Sequence, residues 1–141
     1  MESIIEFLKQ ALKEDKGFLQ VVDEEYVVMY LTALYEEGIL NVQQYRDDAS
    51  VLQGVYLGVH MSPWYSPEKQ LNDLVLYVAK EYRGTDVGKQ LLTNAQNHAK
   101  MCGCVISVVG VNLNIDQERA GKFMESVMGY RKTGSTYLRS L

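Results

Sequence analysis

At 141 residues the chain has room for one domain with a good core and not for two. Its 47% hydrophobic and 23% charged content is ordinary for a globular protein. A formal net charge of −4, with no run of Lys or Arg, leaves no electrostatic footprint for nucleic acid. No stretch approaches the roughly 18 apolar residues of a membrane span, so a membrane role is not expected. The acidic start, Met1-Glu2-Ser3-Ile4-Ile5-Glu6, lacks the basic head of a signal peptide, and a cytoplasmic setting is expected. An acidic surface suits a cationic small molecule or a lysine-bearing protein.

Residues 3–16 place Ile4, Ile5, Leu8, Ala11 and Leu12 on one face, an amphipathic helix that Gly17 ends. Asp23 reads as the N-cap of a second helix, with Glu24 and Glu25 in its first turn where the dipole favours acid. Its apolar stripe is Val27, Tyr30, Leu31 and Leu34, and Gly38 closes it. Residues 39–45 alternate as a half-buried strand, Asp47-Asp48 turns the chain, and Val51–Met61 is a longer strand. Pro63 and Pro67 exclude residues 62–70 from a ladder, leaving Trp64 and Tyr65 in a stiffened loop.

The stretch that organises the chain follows. Leu74-Val-Leu-Tyr-Val78 is rich in β-branched and aromatic residues and reads as a strand. From Val87 the apolar residues fall at 87, 91, 92, 95 and 99, a helical stripe ending near Cys102. Between them lies Arg83-Gly-Thr-Asp-Val-Gly88, a tight strand-to-helix turn with two glycines. Such a turn leaves the first backbone N–H groups of the helix unpaired, with the positive end of the dipole behind them. That arrangement suits a phosphate or pyrophosphate.

Gly103 then breaks the chain before Val105-Ile-Ser-Val-Val109, apolar enough for a strand buried on both faces. A fourth helix runs from about Asp116, with Ala120, Phe123, Val127 and Met128 inward, and the tail from Tyr130 to Leu141 has room for one or two strands. Cys102 and Cys104 lack further ligands at metal spacing and read as buried structural thiols, so no metal is expected.

The strand Leu76-Tyr-Val78 followed by Ala-Lys-Glu-Tyr-Arg-Gly-Thr-Asp-Val-Gly-Lys-Gln-Leu-Leu92 resembles the acetyl-CoA-binding motif of the GNAT superfamily of N-acetyltransferases. The element order fits that family from about residue 3 to the C-terminus. The resemblance implies a single domain over 1–141 with an α+β fold: a central mixed, mostly antiparallel sheet of about six strands flanked by four helices. The family pattern Arg/Gln-x-x-Gly-x-Gly/Ala is met here by Arg83, Gly84, Thr85, Asp86, Val87 and Gly88. The turn's amides, with Lys89 nearby, would hold the pyrophosphate of acetyl-CoA. The strand edge around Tyr77 and Val78 would pair with the pantetheine arm, where this strand and 105–109 splay apart. A primary amine of a small molecule, or a protein lysine or N-terminus, would then attack the thioester directly, helped by orientation, an amide donor and proton transfer.

Three departures accompany the resemblance. Asp86 stands where the family usually has its first glycine, and reads as a helix N-cap. Phe123 is followed by Met124 where a tyrosine often serves as general acid, so Tyr130 or Tyr137 is the substitute. The chain also starts almost at the first helix, one strand short. Asp73 is the candidate general base; His60 reads as an exposed or core-satisfied histidine, with the substrate cleft as its alternative, and His98 is expected in solvent. Two functions follow: an acetyl-CoA-dependent N-acetyltransferase, or a GNAT-fold binding or regulatory protein without catalysis. An unpaired C-terminal strand or the short N-terminal edge offers a route to a homodimer.

Overall fold

In the computed structural model, which describes residues 2–15, 22–111, 116–137 and 139–141, the chain forms α1 (Glu2–Glu14), α2 (Glu24–Glu36), β1 (Leu40–Arg46), β2 (Leu52–Met61), β3 (Gln70–Val78), α3 (Val87–Met101), β4 (Ile106–Val108) and α4 (Gln117–Lys122). A 3-10 turn at Lys80–Tyr82 links β3 to α3, and a π turn at Phe123–Val127 extends α4. The strands make one sheet in the order β1-β2-β3-β4, antiparallel except for the parallel pair β3–β4.

Helices cover both faces. On one face Ile4, Phe7 and Ala11 of α1 and Leu31 of α2 pack on Leu40, Leu52, Val55, Leu57 and Tyr77. On the other, Val87, Leu91, Leu92, Ala95 and Ala99 of α3 pack on Tyr56 and Leu71, with Cys104 and Met124 at the margin. The expected spacings thus produce the expected helices. Asp23 does cap α2, its Oδ1 accepting the Tyr26 N–H at 3.0 Å, and Gly38 closes that helix at φ +72°. The expected end of α1 at Gly17 lies outside the described residues. Tyr30, expected on the inward stripe of α2, is instead exposed.

Five expectations need correction. The sheet has four strands among the described residues, not about six. The described part of the tail beyond Tyr130 forms no strand, since its charged and small residues (Arg131, Lys132, Gly134, Ser135) have little apolar surface to bury. β4 is not buried on both faces: Ile106 and Val108 are 57% and 41% exposed, because the α1–α2 layer packs on β1 and β2 and leaves the β4 edge uncovered. Val127 points outward at 52% exposure while Met124 is buried, because a π turn carries more residues per turn and shifts the phase of the inward stripe. Of the two cysteines only Cys104 is buried; Cys102 is exposed at the end of α3.

Two polar details hold the layers in register. The buried Asn41 amide donates to Ala95 O of α3 at 2.9 Å and stands 2.9 Å from His60 Nε2. His60 therefore lies in the core rather than in a cleft, and burial holds its pKa below the ordinary value. His98 is exposed as expected, its ring edge-on to His60. Gly58 is required by packing: a Cβ there would stand 2.5 Å from Tyr56 Oη and 2.9 Å from Leu71 Cδ1.

Candidate active site: a splayed strand pair beside a glycine turn

The parallel ladder between β3 and β4 is short. It pairs Gln70 with Ile106, Leu71 with Ser107 and Asn72 with Val108, and then stops. One residue on, the Asp73 carboxylate accepts the Gly110 N–H at 2.9 Å, so a side chain takes over from the backbone ladder where the strands part. In the same place β3 carries a bulge: Asp73 faces Gly58 and Val75 faces Leu57, which leaves Leu74 unopposed. Asp73 and residues 75–78 keep their pairing to β2 but, among the described residues, have no strand on the other edge.

The backbone groups on that open edge follow from the alternation of an antiparallel ladder. Ala79 N–H donates to Gln53 O of the β2 side at 2.8 Å. Counting back by two, Tyr77 also faces β2, and Leu76 and Val78 present their main-chain groups to the gap. Of the two residues expected to meet an amide-bearing ligand, Val78 lies on the open edge and Tyr77 does not. The Tyr77 side chain is buried against Phe7 and donates to Glu14. Leu76 was not singled out from sequence; only the register of the sheet identifies it.

At the far end of the gap the chain turns into α3. Gly84 adopts φ +82°, a left-handed conformation that favours glycine. Thr85 Oγ1 donates to Tyr82 O and accepts the Val87 N–H at 3.4 Å. Asp86 makes no side-chain cap, contrary to expectation: its own backbone is already helical (φ −77°, ψ 0°), whereas a capping residue is extended. The helix ladder begins with Gln90 N–H to Asp86 O at 2.9 Å, so the Gly88 and Lys89 amides precede it at the positive end of the dipole. Gly88 is half-buried, with Phe123 and Val78 flanking the space a Cβ would occupy. Lys89 is exposed and, with Asp86, Gln90, Thr93 and Asn94, lines a shallow hollow of about 290 Å³ on α3.

Arg83 does not point at this turn. Its Nε donates to Val78 O at 2.9 Å, and Nη1 and Nη2 form a bidentate pair with Glu14 of α1 at 3.0 and 2.9 Å. The guanidinium also lies 5.4 Å from the Tyr77 ring centre. Arg83 thus ties the end of α1 to the end of β3, and the Glu14 carboxyl is held below its usual range chiefly by that pair.

The proton-transfer candidates divide clearly. Asp73 is half-buried at the mouth of the gap, and burial raises its pKa above the usual carboxylate value, against the bond from Gly110. Beside it lies Tyr56, whose buried hydroxyl has no hydrogen-bond partner among the described residues; burial above all, then the charge of Asp73, pushes its pKa up. Tyr130 is engaged in packing, its hydroxyl 2.6 Å from Ser107 Oγ and accepting from Gln96 Nε2 at 2.8 Å. Tyr137 is 92% exposed in the tail and is not brought to the gap. Met124 fills the core beside α3. Trp64 and Tyr65 stand out in solvent, stacked edge to face, and cover no core. Among the described residues no cluster of His, Cys, Asp or Glu is arranged to hold a metal, and no helix is long and apolar enough to cross a membrane.

Among the described residues, a free strand edge thus opens onto a glycine turn at a helix start. The chain belongs to the acetyltransferase (GNAT) family, whose model matches residues 5–130. Solved structures agree on the fold. An acetyltransferase from Trypanosoma brucei superposes with a TM-score of 0.71 at 14% identity, over 99% of this chain and 92% of that one. Glucosamine-6-phosphate N-acetyltransferase from Arabidopsis thaliana gives 0.69 at 14% identity, over 98% and 90%. Aminoglycoside 6′-N-acetyltransferase from Acinetobacter haemolyticus gives 0.67 at 16% identity, over 96% and 93%. No curated protein sequence matches the chain significantly.

Proposed function

We propose that the chain is a single acyltransferase domain over residues 1–141 that moves an acetyl group from acetyl-CoA to a primary amine by direct attack. The observation that carries this reading is the end of the β3–β4 ladder at Asn72–Val108, which frees the edge of β3 all the way to the Gly84–Gly88 turn. In this reading the amides of Gly88 and Lys89 meet the pyrophosphate, with Gly84, Thr85, Asp86 and Val87 shaping the turn. The main-chain groups of Leu76 and the N–H of Val78 pair with the amides of the pantetheine arm, the Val78 carbonyl already accepting from Arg83 Nε. That alignment brings the thioester toward the bulge at Leu74, beside Asp73.

Asp73 is the base of the reaction. Its carboxylate takes a proton from the incoming ammonium, directly or through one water, and its raised pKa brings its basicity closer to that of its substrate. The amine nitrogen then bonds to the thioester carbon, a β3 amide stabilises the oxyanion, and the carbon–sulfur bond breaks. With Met124 in the core, Tyr130 held by Gln96 and Ser107, and Tyr137 in the tail, the proton that the attacking nitrogen sheds on forming the amide reaches the departing thiolate through water. The acceptor is a small-molecule amine in this reading: two fold relatives bear the names of sugar-amine acetyltransferases, and the surface here is acidic. A homodimer, if formed, would use the β4 edge with Ile106 and Val108.

A second reading, a cofactor-binding protein without turnover, is favoured by one observation: Glu14 already neutralises Arg83. Calorimetric titration with acetyl-CoA, followed by a thiol-release assay across a panel of primary amines, separates the two. Micromolar binding with release of CoA supports the transferase. Binding without release on any amine supports the second reading, and no binding at millimolar acetyl-CoA refutes both.

A further inference from the structure

We infer that Arg119 of α4, and not Arg83 of the turn itself, is the side chain that brings positive charge to the coenzyme's pyrophosphate. This rests on the reading that the Gly84–Gly88 turn holds that group. A Cβ placed on Gly84 would stand 2.8 Å from Arg119 Nη2, so the guanidinium lies directly over the left-handed glycine of the turn. Two elements far apart in sequence therefore converge on one small volume, which glycine keeps open.

Two neighbouring cations, Arg83 and Lys122, are committed elsewhere. All three guanidinium nitrogens of Arg83 are occupied by Val78 O and the Glu14 carboxylate. Lys122 pairs with Glu118 at 3.4 Å. Lys89 lines the hollow on α3, away from the space over Gly84 where Arg119 stands. Arg119 is exposed and takes part in no ion pair among the described residues. A planar, permanently charged fork held over a turn suits a pyrophosphate, which offers oxygens on two adjacent phosphorus atoms.

The test is calorimetric titration of the wild type, Arg119→Gln and Arg119→Lys with CoA and with 3′-dephospho-CoA, each at two salt concentrations. The side chain is exposed, so thermal melts of the three proteins should coincide. Arg119→Gln is expected to weaken both ligands by about tenfold or more, the value of one charge-assisted hydrogen bond, and to flatten the salt dependence. Lysine should recover part of the loss, because it keeps the charge without the fork. Unchanged affinity of Arg119→Gln for both ligands overturns the inference. So does a loss confined to CoA, which would put Arg119 at the 3′-phosphate. If the wild type binds neither ligand, the phosphate reading of the turn itself has failed; that control tells the two failures apart.

Discussion

Replacing Glu14 by Gln tests how the end of the free β3 edge is held in place. The Glu14 carboxylate accepts from Arg83 Nη1 and Nη2 at 3.0 and 2.9 Å and from the Tyr77 hydroxyl, joining α1 to the end of β3. Tyr77 is the donor because burial and Glu14 push its pKa up to about 12. An exposed ion pair contributes about 0–1 kcal/mol, and breaking a buried one costs about 3–5 kcal/mol. Here the two side chains keep 25% and 34% of their accessible surface, and glutamine retains one acceptor oxygen. A loss of about 2 kcal/mol at pH 7 is therefore expected, midway between those limits. The pH dependence gives the decisive check. Glu14 has a folded-state pKa below its ordinary value of 4.5. The unfolded chain thus binds more protons between those two values, and stability rises with pH across that window. The contribution is complete above pH 4.5 and is lost as pH falls through the folded value. Urea unfolding of wild type and Glu14→Gln, run from pH 7 down to about pH 3.5, should show a gap that narrows below pH 4.5. A gap under about 0.5 kcal/mol at pH 7, within the range of ordinary surface substitutions, would refute the reasoning. So would a gap that does not change with acid.

Asp73→Asn should lower kcat by about 10²- to 10⁴-fold, the usual contribution of a general base. In the wild type kcat/KM should rise with pH through an acid limb placed above the ordinary carboxylate value, because the base must lose its proton and burial raises its pKa. Thiol-release rates across pH check both points, and an acid limb that survives in Asp73→Asn would remove Asp73 from the mechanism. Gly58→Ala should cost about 1–3 kcal/mol by overpacking, because its methyl would meet Tyr56 and Leu71, both fully buried; an unchanged urea midpoint would show that the sheet yields there. Gly88→Glu should abolish CoA binding, since its side chain and charge would fill the phosphate site; unchanged affinity by calorimetry would sink the cofactor assignment.

What could be read from the chain was what depends on short spacings. The stripes at 87, 91, 92, 95 and 99 and around Ile4 and Ala11 report a face, and a face turned toward a core is what each helix has. Asp23 and Gly38 act on atoms a few residues away, and both behave as their types dictate. Burial of a strand is different, because it depends on what arrives to cover it. The apolar run of 105–109 carries no record that the α1–α2 layer lies over other strands, so Ile106 and Val108 are apolar yet exposed. Likewise nothing in residues 116–128 marks the π turn that exchanges Met124 for Val127 on the inward face.

The site divides along the same line. Asp73, Val78, Gly84 and Gly88 occupy places that a strand-turn-helix segment determines by itself, and they fall along one free edge and its turn. Arg83 lies in the same segment, but its partner is 69 positions away, and that partner decides where the guanidinium points. The cation over the turn comes from the opposite side, from an arginine whose only mark in the sequence is a place near the start of the fourth helix. A motif specifies the backbone that meets a phosphate, because backbone geometry is local. It does not specify the counter-charge, because charge acts through space and any element that packs against the turn can deliver it. In a chain that departs from the family pattern at Asp86, the proposed binding through this turn would therefore depend on residues that the motif does not contain.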